Sequence, residues 1–143
     1  MEKGVDYPAV TVGYLCHDGA GNYLMSLRSK NCRDEQGTWD FGGGGVDFGD
    51  SIEDTLRKEL KEEFCVEPIS YEFLGYMDMF RENNGKKTHW IALDFLVRVD
   101  RDKVQNGEPH KFDQIGWFRL DALPTPLHST NQAVVNKYRD RLP

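Results

Sequence analysis

The order of elements along the sequence predicts an α/β (α+β) chain, a mixed sheet covered by helices. Three observations carry that reading. The run from Pro8 to Cys16 is β-branched and apolar, as a buried strand is. Ile52, Leu56, Leu60 and Phe64 recur every four residues, the signature of a helix with one apolar stripe. Further strand-like runs follow before a last helical pattern, so the order is strands, helix, strands, helix.

Size and composition agree with one domain spanning residues 1–143. The chain has 143 residues, of which 38% are hydrophobic and 29% charged, enough apolar material for a real core and too much for a disordered segment. Cys16, Cys32 and Cys65 are odd in number and widely spaced, so neither a disulfide framework nor a zinc knuckle is expected. The first residues carry no signal-peptide pattern, and no run reaches the length of a membrane span. A cytoplasmic protein is expected.

The elements read in order as follows. After the strand Pro8 to Cys16, residues 17–22 carry turn chemistry, and Tyr23 to Leu27 returns as the second arm of a hairpin. Ser29 to Gly37 is a polar loop, and Trp39 to Phe41 a short strand running into four glycines, Gly42 to Gly45. Ser51 and Asp54 form a capping box that opens the helix, and Pro68 closes the segment. Strands are expected at about Ile69 to Met79 and Thr88 to Val99, around a loop at residues 82–87. Gln114 to Leu120 is the last strand, and Asn131 to Arg141 the last helix.

Charge is distributed unevenly. The net charge is −6, and residues 50–67 alone hold seven acids against three bases. An acidic chain is a poor binder of nucleic acid, which needs a basic face, and no nucleic-acid partner is expected. With Glu59 at zero on a helical wheel, Glu62 falls at about 300° and Glu63 at about 40°. Three carboxylates therefore share one face beside the apolar stripe, where like charges repel. A solvated face with Lys58 paired to Glu62 is the ordinary explanation. A glycine run feeding a capped helix with Glu-x-x-Glu-Glu on one face is a rarer combination, and a hard cation with oxygen ligands suits it.

Those residues resemble the Nudix hydrolase superfamily, in its MutT-like form. Gly44 is followed after five residues by Asp50, and after seven more by Lys58-Glu59-Leu60-Lys61-Glu62-Glu63-Phe64-Cys65-Val66, the spacing of the Nudix box over 23 residues. The approach Trp39 to Asp47 is similar to the family's lead-in, with Gly42 where proline is common. Three positions depart: Asp50 stands for Glu, Lys58 for Arg, and Cys65 for the glycine that ends the helix in a left-handed conformation.

The resemblance implies the Nudix fold, a mixed β-sheet sandwiched between α-helices. It also implies a Mg²⁺-dependent pyrophosphohydrolase, with Mn²⁺ as the alternative ion, acting on a small nucleoside diphosphate linked to another moiety. Canonical or oxidised nucleoside triphosphates are the first substrates to consider. Glu59, Glu62 and Glu63 would be metal ligands with the Gly44 carbonyl, and Glu62, Glu63 or the loop residue Glu108 would act on the water. Asp113 lies behind Glu108, and Asp94 is a further candidate base, or a strand residue facing out. Arg28 would contact phosphate and Asn131 the base, although an exposed arginine and a helix N-cap (Thr130 or Asn131) explain them equally. The four histidines are read as structural or solvated, and the three cysteines as small apolar groups packed in the fold. Other readings stay open: a nucleotide-sugar or other diphosphate hydrolase, a relative of isopentenyl-diphosphate isomerase, or a nucleotide-sensing module weakened in catalysis. A homodimer is left open.

Overall fold

A computed structural model describes residues 1–143, the side chain of Asn83 excepted. The elements are β1 (Ala9–His17), β2 (Asn22–Arg28), β3 (Trp39–Asp40), β4 (Gly43–Gly45), α1 (Ile52–Phe64), β5 (Ser70–Asn83), β6 (Lys86–Arg98), β7 (Phe112–Arg119) and α2 (Asn131–Tyr138). Ser51 caps α1, accepting the Asp54 N–H at 3.0 Å, and Cys65 ends it in a left-handed conformation at φ 60°. Both follow from the sequence, but Cys65 is exposed rather than packed as a small apolar group.

The seven strands form one mixed sheet: β1 and β6 run parallel, and the other pairs are antiparallel. Alternate residues of β1 face opposite sides, as strand geometry requires. Val12, Tyr14 and Cys16 pack under Leu56, Leu60 and Phe64 of α1. Leu15 faces the other way, with Val134, Val135 and Tyr138 of α2. The two helices thus cover opposite faces. Among the described residues no helix is long and apolar enough to cross a membrane.

Two features depart from the sequence reading. Residues 82–87 were expected as a loop, but β5 and β6 continue to a two-residue turn, with Asn83 paired to Lys86. Asn84 and Gly85 both have positive φ, 53° and 79°, the conformation of a tight hairpin turn whose twist matches the strands. The glycine run is likewise not a free loop. β1 and β2 meet at His17 and Tyr23 and then diverge; β3 adds to β2 while Gly43–Gly45 adds to β1. Residues 39–45 therefore fill a split in the sheet between the two helical layers.

Candidate functional site

The helix phase brings Glu59, Glu62 and Glu63 of α1 against that glycine segment. Glu63 is buried, and both of its hydrogen bonds end on Oε1: the Tyr14 hydroxyl donates to it, and the Gly43 N–H donates at 3.2 Å. Burial pushes the Glu63 carboxyl well above the ordinary range, with Asp40 and Glu59 adding to the effect. Glu59 is half-buried and pushed up to about 7, by burial first and then by Glu62. It lies so close to Gly44 that a Cβ there would run into its carboxylate. Glu62 is exposed.

Cations are scarce around these acids. The ordinary alternative, an ion pair of Lys58 with Glu62, is not made among the described residues: Lys58 reaches back to Asp47 at 3.4 Å. Lys111, whose charge Glu59 also feels, is 3.4 Å from Glu108. Among the described residues none of the three carboxylates forms an ion pair, and two are shifted towards protonation; such a set fits a hard divalent cation, which takes oxygen ligands and relieves the repulsion. Among the described residues no three His, Cys, Asp or Glu side chains converge on one point. A bound ion would thus draw on backbone carbonyl, water and substrate oxygens as well.

The loop after β6 docks on the end of α1. Gln105 N–H donates to the Phe64 carbonyl at 3.0 Å and Gly107 N–H to the Glu63 carbonyl at 2.9 Å. This brings Glu108 near enough to Glu59 to raise its pKa. Asp113 stands exposed on β7. Asp94, for which an outward-facing position was one reading, is 2% exposed; the Tyr138 hydroxyl donates to it at 3.0 Å, and burial raises it to about 6.

On the α2 side of the glycine segment lies a cleft of about 260 Å³ that Gly42–Gly45 also line. Arg28 and Asn131 both reach it. Arg28 is held by Asp34, donating to its carboxylate at 2.8 Å, and sits 3.5 Å from Asp40. Asn131 is buried and donates to the Trp39 carbonyl and the Asp40 carboxylate, each at 3.1 Å. It therefore ties α2 to β3, while Thr130 is the N-cap residue without a side-chain capping bond. The sequence reading missed Tyr14, Asp40 and the ion network at the cleft mouth, where Arg81 meets Asp34 at 3.4 Å and Glu35 at 2.7 Å beside buried His128. They come together from separate strands and loops, which no local motif records.

The family model described as NUDIX domain matches residues 7–138. An RNA pyrophosphohydrolase of Bartonella bacilliformis is 26% identical over 117 residues, covering 69% of this chain and 68% of its own length. Nucleoside triphosphatase NudI of an Enterobacter species is 26% identical over 113 residues, covering 73% of this chain and 78% of its own. A crystal structure of a MutT NUDIX hydrolase from Burkholderia pseudomallei superposes with a TM-score of 0.82 at 27% identity, over 92% of this chain and 98% of that one. The NUDIX domain of Shewanella oneidensis NrtR, solved with ADP ribose, gives a TM-score of 0.77 at 22% identity, over 96% and 90%, a likeness of fold.

Proposed function

The chain belongs to the Nudix family, hydrolases acting on phosphoanhydride bonds, and on that premise we propose that it is a Mg²⁺-dependent pyrophosphohydrolase of small nucleoside diphosphates linked to another group, nucleoside triphosphates first among them. The observation that carries this reading is the set of carboxylates on α1, with no ion pair among the described residues, set against a glycine segment that is also a wall of the cleft. Relatives carry the names RNA pyrophosphohydrolase and nucleoside triphosphatase, and both names describe cleavage of phosphoanhydrides. The net charge of −6 and the small cleft favour the free nucleotide, since an RNA chain needs a basic track. The three free cysteines fit the reducing cytoplasm we assign to it.

In this reading Glu59, Glu62 and Glu63 would hold the ion together with the Gly44 carbonyl, water and substrate oxygens. Bound Mg²⁺ supplies positive charge that offsets the charge developing on the phosphates. Oε1 of Glu63, fixed by Tyr14 and Gly43, keeps the glycine segment against the helix. Glu108 takes the proton of the attacking water as the water oxygen bonds to phosphorus, and the broken anhydride leaves as a phosphate or pyrophosphate. Arg28, released from Asp34, receives a phosphate oxygen, and Asn131 lies at the base end. Glu62→Gln and Glu63→Gln should each lower turnover by orders of magnitude with the far-ultraviolet circular dichroism unchanged. Unaltered rates in both variants would remove the metal-site assignment.

A further inference from the structure

Four strands meet in one register row at the cleft floor, and three of the row's four residues are glycine. Gly43 pairs with Gly13, Gly13 with Asp94, and Asp94 with Gly75. The Asp94 carboxyl is the only side chain in that row. The register of β5 against β6 shifts between Phe73 and Gly75, a bulge directly opposite Asp94. Bulges re-aim the side chains beside them.

The carboxyl is half used. Tyr138 donates to Oδ2 at 3.0 Å, and no donor among the described residues reaches Oδ1. No sealed side-chain oxygen among the described residues lacks a partner, so Oδ1 stays open to the cleft that Asp94 lines. The glycines keep it open: a Cβ at Gly13 would lie 2.9 Å from Oδ1, and one at Gly75 would lie 2.9 Å from the Tyr138 hydroxyl. An anchor for α2 would need Oδ2 alone, and would leave both the bare oxygen and the cleared row unexplained. Burying a carboxylate is costly unless its oxygens find donors. The neighbouring rows on the same face bring Ala92 beside Met77 and Trp90 beside Met79, a surface on which a flat ring can lie.

We propose that Asp94 is a specificity-determining residue. Its Oδ1 accepts a hydrogen bond from the amino group of a nucleobase lying in the cleft, and it repels the carbonyl oxygen that replaces that amino group in the keto counterpart. The ligand class is an amino-bearing nucleoside polyphosphate, and the inference rests on the nucleotide reading above.

Matched pairs isolate the contact: CTP against UTP, ATP against ITP, and GTP against XTP, each with Mg²⁺. Wild-type protein should favour the amino member of at least one pair by about tenfold or more in kcat/KM, the scale of a misplaced buried polar group. Asp94→Asn keeps the shape; with its carbonyl accepting from Tyr138 it offers an N–H to the cleft, so the preference should collapse or invert. Gly13→Ala, which covers Oδ1 while leaving the carboxylate in place, should lose the same discrimination. Tyr138→Phe removes the anchor but not Oδ1 and should keep the preference. If nucleotides turn over but Asp94→Asn and Gly13→Ala retain the wild-type preference, Asp94 is an anchor and this inference is wrong. If no nucleotide turns over, the hydrolase reading fails, and the inference is read from the Kd values of the same pairs: equal affinities overturn it.

Discussion

Glu63 is a carboxylate whose burial is tolerable because the Tyr14 hydroxyl and the Gly43 N–H both reach it. Tyr14→Phe deletes one donor without changing the packing of Tyr14 against Phe64. It should destabilise the metal-free protein by about 1–3 kcal/mol in chemical denaturation, the cost of an acceptor left short of partners. Added Mg²⁺ should recover part of the loss if Glu63 is a ligand. At Asp94 the consequence is a pH dependence. Its carboxyl is raised by burial to about 6, so the folded chain keeps this proton to higher pH than the unfolded chain does. Stability therefore falls as pH rises from about 4 to about 6. Asp94→Asn should match the wild type near pH 4 and exceed it above pH 6 by about 3 kcal/mol at most. Glu59 and Glu63 are shifted in the same direction, so the difference between wild type and variant is the quantity to measure. Equal stabilities across the range would show that the Asp94 carboxyl is not strained by its burial.

At the scale of elements, α1 was legible almost to the residue. Its cap, its stripe and its left-handed end are all local, and local patterns survive in a sequence. Cys65 occupies a left-handed position that favours glycine, so Cys65→Gly should raise the thermal midpoint, with a gain of about 1 kcal/mol at most. A lowered midpoint would mean that the thiol contributes contacts outweighing the strain. The partner of Lys58 was not legible, because Asp47 arrives from a loop rather than from the same helix. The hairpin end was half-legible: Asn84-Gly85 is a strong turn signal, but the polar start of β6, with Lys86 and Lys87 exposed, lacks the alternation that marks a strand over a core. Backbone pairing, not side-chain burial, extends those strands.

For the whole molecule, the sequence was enough to read strands, helix, strands and helix, and the carboxylate face with its glycine lead-in. It did not show that the glycines fill a split in the sheet, with the carboxylates at one side and a cleft lined by Arg28, Asn131 and Asp94 at the other. That juxtaposition depends on which strands pair, and residues as distant as Tyr14 and Glu63 are joined only by the fold. The role we propose for this junction is the metal-dependent cutting of phosphoanhydrides. The most direct test is phosphate and pyrophosphate release from a panel of nucleoside triphosphates, nucleotide sugars and dinucleotides, with Mg²⁺ and with a chelator. At least one nucleoside triphosphate should be hydrolysed with Mg²⁺ and none with the chelator. Tight nucleotide binding without hydrolysis of any member, or hydrolysis indifferent to the chelator, would contradict it.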